Sequence, residues 1–384
     1  MSSVKLSKSK VPTPATAAES LSANQAASQS PGAQARQSAL VDWAHAALQG
    51  AGIPAPESYQ LSVASDDASF RRYFRAVAAD QSYIFVDAPP DKEDSRPFVA
   101  VQALLAAAGL QVPNVYAADL AVGFMMLADF GNTLYLDRVV AGQPAEVDAL
   151  YQAAMKDIFC MQQIDTACDL PAYDEAKLRS EMALFEDWFL VQQLGLELDE
   201  SGREILQRVL DSLAVAALTQ PQVFVHRDYH SRNLMVLEGG RPGIIDFQDA
   251  VVGPLTYDLV SLLKDCYYRF PRHQVVQWVD DFYQQWAAQQ SADVIDAAGF
   301  LRWFDLMGMQ RHLKCAGIFS RLNLRDGKAR YLSDIPLVLA YILEVSSLYP
   351  EFSDFGDWLT AHVVPRMADK NGSGIALLPP VATL

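Results

Sequence analysis

Cysteine is scarce in this chain: Cys160, Cys168, Cys266 and Cys315 are the only four in 384 residues, with neither a paired nor a metal-ligand spacing. That argues against a disulfide framework or a thiolate metal site, and predicts reduced, mostly buried thiols in a cytoplasmic protein. Basic residues are also few, with 30 Lys and Arg against 46 Asp and Glu and a net charge of −16. Nucleic acid and anionic membranes both select cationic surfaces, so neither is expected as a partner. No apolar run reads as long enough to span a bilayer. Residues 1–36 are rich in Ala, Ser, Gln and Pro and lack the apolar segment of a secretory signal, so a flexible tail is expected there. A second tail is expected over 369–384, from the break at Lys370-Asn371-Gly372-Ser373-Gly374.

The rest supports a large fold. A hydrophobic content of 51% allows a sizeable core, and the length allows two lobes sharing a cleft. Leu40, Val41, Trp43, Ala44, Ala47 and Leu48 recur at helical spacing and predict a helix over Ser38–Gly50. Strand-like segments follow at Tyr59–Val63, Phe70–Ala76 and Ser82–Asp87, then a helix over Asp94–Leu110 and two more strands ending at Leu127. Long amphipathic helices are expected beyond, among them Val147–Gln163 and Ala176–Leu194, and again from Pro254 to Tyr349. The predicted fold is α+β and bilobal: a small mixed-sheet lobe over 37–128 and a large, mainly helical lobe over 129–368.

The strongest signal is His226-Arg227-Asp228-Tyr229-His230-Ser231-Arg232-Asn233, followed by Gly243-Ile244-Ile245-Asp246-Phe247. Apolar flanks and the turn Glu238-Gly239-Gly240-Arg241-Pro242 predict two short strands that return Asp246 beside Asn233. An Asp, an Asn five residues on and an Asp on the next strand are the minimum equipment of kinase-type phosphoryl transfer. Asp228 would accept the proton of the attacking hydroxyl, while Asn233 and Asp246 would hold the magnesium that bridges the ATP phosphates. Taken singly, each residue reads equally as a cap or an Asx-turn; the joint pattern is what points to chemistry.

With Pro254-x-x-Tyr257-Asp258-Leu259, these segments resemble the aminoglycoside phosphotransferase family, relatives of the protein kinases, from about residue 55 to about residue 350. Asp246-Phe247-Gln248-Asp249-Ala250, Asp87-Ala88-Pro89-Pro90, Arg96-Pro97-Phe98-Val99-Ala100 and Gln310-Arg311-His312-Leu313-Lys314 are similar to its amino-sugar kinases of peptidoglycan recycling. The resemblance implies ATP- and magnesium-dependent phosphorylation of N-acetylmuramate and N-acetylglucosamine at the anomeric hydroxyl. It makes Asp258 a brace for the catalytic loop, although an ordinary N-cap reads the same way. It also makes His226 a packing residue beneath the loop, and places His230 either facing the sugar or making one hydrogen bond in the loop.

Three features depart from the kinase pattern. The turn Ala64–Ser69 contains no glycine, Tyr83-Ile84-Phe85-Val86 ends in Asp87 where most relatives carry a phosphate-binding lysine, and the following helix offers no glutamate for such a lysine. An Ala-Pro-Glu segment is missing too, so no protein substrate is expected. Nucleotide contacts are expected from Ser69, Arg71, Arg72 and the backbone near Met126. On one reading Arg71, Arg72 or Arg75 supplies the missing charge; on the other they are solvated arginines of an exposed strand face.

The lactyl carboxylate of N-acetylmuramate calls for a cation. Arg311 and Lys314 are candidates, as are Arg321 and Arg325, and Trp303 is a candidate for stacking on the sugar. A solvated helix face and an aromatic core are the competing readings. An aminoglycoside or choline-like kinase, or a catalytically weak scaffold, remains open at the level of sequence.

Overall fold

The computed structural model describes residues 31–54, 60–65, 70–78, 80–167, 169–290 and 295–371. Most of the expected tails, together with Tyr59, Ser69 and Cys168, lie outside the described residues. The chain divides into two compact units: the described residues up to Arg96 with Asn114–Asp129, and Pro97–Pro113 with the chain from Phe130 onward.

The first unit is a five-stranded sheet of β1 (Ser62–Ser65), β2 (Arg72–Ala78), β3 (Gln81–Asp87), β4 (Val115–Asp119) and β5 (Phe124–Ala128), in the order β1-β2-β3-β5-β4. Every neighbouring pair is antiparallel, so the expected mixed sheet is corrected. Short turns can join only antiparallel neighbours, and β2–β3 and β4–β5 are joined in that way. Alternation buries Phe74, Ala76 and Ala78 from β2 and Tyr83 and Phe85 from β3. These pack with Phe124 and Met126 against Leu40, Ala44 and Leu48 of the helix Pro31–Gly50. That helix begins inside the segment expected to be tail, because Ala and Gln favour helix and Pro is tolerated at its first position.

In the second unit, β6 (Gln222–Val225) pairs with β9 (Val251–Pro254), and β7 (Leu234–Val236) pairs with β8 (Pro242–Ile244). The helix expected over Ala176–Leu194 is α-helical only over Glu175–Leu184, then widens to a π-helical stretch over Phe185–Gln193. Leu194 N–H accordingly donates to Phe189 O at 3.0 Å, five residues back. The helix Ala297–Asp326 is buried on nearly every side from Phe304 to Ser320, as expected of a helix at the centre of a bundle. Asp296 caps it by accepting from Gly299 N–H at 2.8 Å, and Gly327 at φ +68° ends it.

By length and composition, Ala329–Leu348 would suffice to cross a bilayer, contrary to the expectation that no segment would. Its apolarity is that of a core segment: Ile335, Val338, Leu339, Ile342 and Val345 are buried, and Glu344 lies in an ion network with Lys264 and Arg269.

Two glycines of the long helix make a matched test of its packing. A Cβ on Gly317 would come within 2.4 Å of the Leu184 backbone, whereas one on Gly308 would meet Lys264 and Val260 at ordinary distances of 3.6 and 3.7 Å. Gly317→Ala should cost about 1–3 kcal/mol through overpacking, and Gly308→Ala should gain up to about 1 kcal/mol from helix propensity. Thermal unfolding of the two variants checks this, and equal melting temperatures would refute the packing assignment.

Candidate active site

The loop 226–233 connects β6 to β7, and its course is set from beneath. Pairing of β6 with β9 brings the start of the next helix, Tyr257–Leu263, under the loop. There the buried Asp258 carboxylate accepts from His226 N–H at 2.7 Å and from Arg227 N–H at 2.9 Å. Arg227 sits at φ +77°, a conformation that costs a non-glycine residue about 1 kcal/mol or more. It is held there by the Asp258 contact, by Ser261 Oγ donating to its carbonyl at 3.2 Å, and by its own guanidinium on Glu181 at 2.5 Å.

The loop is tied to β8 in turn. His226 Nδ1 faces Asp228 N–H at 3.3 Å and its Nε2 faces Ile245 O at 3.1 Å. This arrangement fits a neutral ring protonated on Nε2, and burial does lower the ring to about 4. The Asn233 amide donates to Asp228 O at 3.0 Å and to Asp246 Oδ2 at 3.1 Å, while Gln248 donates to Asp246 Oδ1 at 2.8 Å. Asp246 itself takes φ +64°, which an aspartate tolerates better than most residues. The structure thus brings Asp228, Asn233 and Asp246 together, with the Asn233 carbonyl oxygen and the Asp246 carboxylate as adjacent hard donors. Such a set suits a hard divalent cation that completes its shell with phosphate oxygens and water.

Arg311 and Lys314 are buried rather than solvated. Arg311 Nη2 lies 3.9 Å from Asp228 Oδ1, and its Nη1 points at the thiols of Cys266 and Cys315, at 3.6 Å each. Lys314 donates to Tyr257 Oη at 3.0 Å and pairs with Glu181 at 3.1 Å. Glu181 also accepts from Tyr173, which receives a hydrogen bond from Gln310 at 3.1 Å. Burial would raise the Asp228 carboxyl, but Lys314, His230, Arg311 and Arg227 outweigh it and hold it down at about 2. Its side chain is 37% exposed, so it is an ionised acceptor that a ligand can reach.

One expected residue of the same unit lies apart. Trp303 packs against Phe300, and its carbonyl accepts from Gln220 and Thr256, roughly 12 Å along the helix from Arg311 at 1.5 Å per residue. His230 rests edge-on against Tyr267 with ring centroids 5.3 Å apart, and burial lowers its ring. In the first unit, Met126 is wholly buried in the core, on a strand paired on both sides. Arg71 pairs with Glu93, Arg72 with Asp87, and Arg75 with Asp129, so these are not solvated arginines. Ser69 lies outside the described residues.

Glu181 escaped the sequence reading, as did Asp265, which accepts from Ser231 N–H at 3.0 Å and holds the middle of the loop. A signal for Glu181 existed: it occupies the apolar stripe Leu178, Met182, Phe185, where an unpaired carboxylate would be costly.

Residues 60–300 match the phosphotransferase enzyme family, APH. The chain is 45% identical over 304 residues to the N-acetylmuramate/N-acetylglucosamine kinase of Pseudomonas aeruginosa, covering 79% of this chain and 88% of that one. It is 42% identical over 298 residues to the kinase of the same name from Neisseria meningitidis serogroup B, covering 77% and 88%. Among solved structures it is similar in fold to the Plasmodium vivax ethanolamine kinase, with TM-score 0.56, 10% identity and coverage of 78% and 84%. It is also similar to the ADP-bound aminoglycoside phosphotransferase APH(2'')-Ib, with TM-score 0.51, 17% identity and coverage of 75% and 94%. The fold is therefore protein-kinase-like.

Burial pushes the Asp258 carboxyl up to about 7, although His226 and Arg227 N–H pull it down. Protonation leaves one of those amides without an acceptor and loosens the loop. We expect kcat/KM to fall on acidification with a midpoint near pH 7, and Asp258→Asn to be weakly active with that limb gone. Stability should move the other way. A folded value above the unfolded one, about 4, gives a contribution that is full below about pH 4 and lost as pH rises through 7. A pH profile that keeps its limb in Asp258→Asn would rule this out.

Proposed function

This chain belongs to the phosphotransferase enzyme family, and we propose that it transfers the γ-phosphoryl group of ATP to the anomeric hydroxyl of N-acetylmuramate and N-acetylglucosamine. One observation carries the chemistry: Asn233 hydrogen-bonds at once to the Asp228 carbonyl and the Asp246 carboxylate, which ties the acceptor carboxylate to two hard oxygen ligands. The names of relatives at 42–45% identity support the substrate class. The free thiols of Cys160, Cys266 and Cys315, together with that substrate class, support a cytoplasmic role in peptidoglycan recycling.

In this reading Asp228 accepts a hydrogen bond from the anomeric O–H, aligns its oxygen on the γ-phosphorus and takes its proton as the new O–P bond forms and the bond from the γ-phosphorus to the departing ADP oxygen breaks. A carboxylate held at about 2 is a weak base. The anomeric hydroxyl suits it, being the most acidic hydroxyl of a reducing sugar. Asn233 and Asp246 would hold Mg²⁺, which when bound neutralises charge on the phosphates. Arg311 and Lys314 keep Asp228 ionised, and His230 and Tyr267 line its approach.

Asp228→Asn should lower kcat by about 100-fold or more with ADP affinity nearly unchanged, whereas Asn233→Ala and Asp246→Ala should also weaken magnesium-dependent nucleotide binding. A coupled assay for ADP release with N-acetylmuramate, N-acetylglucosamine and their anomeric methyl glycosides checks the reading. Turnover of the methyl glycosides would exclude the anomeric mechanism.

A further inference from the structure

Kinases of this fold commonly place a lysine on the third strand of the sheet to pair with the nucleotide phosphates. Here that strand ends in Asp87, whose side chain is completely buried. Each of its oxygens is occupied by a guanidinium. Arg72, directly opposite it on β2, donates to Oδ2 through Nε and Nη2. Arg36, from the helix Pro31–Gly50, donates to Oδ1 through Nε at 2.9 Å and Nη2 at 2.5 Å.

Both arginines are otherwise pinned. Arg36 Nη2 donates to Val122 O at 2.8 Å and its guanidinium lies 5.1 Å from the Phe124 ring centre; Arg72 lies 5.7 Å from that of Phe74. Their side chains nonetheless remain 32% and 27% exposed, and each guanidinium has five N–H donors, of which these contacts leave the Nη1 pair. Two cations and one carboxylate sum to the single positive charge that a lysine would have supplied. They deliver it as two planar donors rather than one point charge, which is the geometry that suits phosphate.

We infer that Arg36 and Arg72 are ligands for the nucleotide polyphosphate and that Asp87 is the residue that positions them. The inference rests on the reading of the chain as an ATP-dependent kinase. A carboxylate at a phosphate site is otherwise unfavourable; fully buried and neutralised on both oxygens, it acts as a mount for the guanidiniums.

The competing role is purely structural, a staple between the first helix and the sheet. Calorimetric binding of ADP and of adenosine to the full-length chain separates the two, with melting temperatures measured alongside. In Arg36→Gln and in Arg72→Gln, ADP affinity should fall roughly tenfold or more, with adenosine affinity unchanged within about twofold. Equal losses for ADP and adenosine, or no loss for either, would overturn the inference. Asp87→Asn adds a unit of net positive charge yet should weaken ADP binding; tighter binding would overturn the positioning role. If the wild type phosphorylates the sugar while both arginine variants retain ADP affinity, this inference alone fails. If the wild type binds ADP through the arginine pair but phosphorylates no sugar, the sugar reading alone fails.

Discussion

The loop 226–233 depends on one buried carboxylate in the helix beneath it. Asp258 accepts two consecutive backbone amides and, with Ser261 and Glu181, holds Arg227 at φ +77°. That turn aims Asp228 outward and its amide back toward the His226 ring, whose far side reaches the carbonyl before Asp246. Asn233 closes the circuit by bonding to both Asp228 and Asp246. A buried acceptor thereby helps to set the positions of the proposed base and the two proposed metal ligands, which span 18 residues in sequence, from 228 to 246. The low-dielectric surroundings make each of these bonds stronger and its loss more costly.

A second constraint is electrostatic. A chain with a net charge of −16 keeps Arg311 and Lys314 in its interior, where an unpaired cation would cost several kcal/mol. Glu181 offsets that cost by pairing with Lys314 and Arg227 together, which also outweighs the tendency of burial to raise its own carboxyl. The surplus of positive charge then falls on Asp228. Its low proton affinity is a consequence of this cluster; in the proposed role as base, positioning and charge neutralisation would then supply most of the rate.

Much of this was legible in the sequence where the signal is local. The hairpin that returns Asp246 to Asn233 could be read from two apolar tripeptides around a glycine turn, and the helix Pro144–Met161 from its spacing, within a few residues. Strand limits were less legible, because β2 ends where its antiparallel partner β3 begins: pairing of Ala78 with Gln81 extends it past the expected Ala76. The widened turn over Phe185–Gln193 has no compositional mark. Arg311 and Lys314 could not be told from a solvated helix face, because their burial depends on helices far apart in the chain. The same holds for Arg36 and Asp87, which meet across 51 residues.

Asp87 is the clearest case of why single positions mislead. Read alone, an aspartate where a lysine is expected argues for lost nucleotide binding, and hence for a scaffold. Read with its neighbours, it supplies the carboxylate that holds two guanidiniums side by side, since two cations at that separation repel without a shared anion. The cost of burying a carboxylate is offset by saturating both oxygens, and the net charge at the strand end is unchanged. On the inference above, an arginine pair in place of a lysine is a difference of charge geometry rather than a defect. What matters at such a site is the charge presented and its direction, which only the folded arrangement of β2, β3 and the first helix reveals.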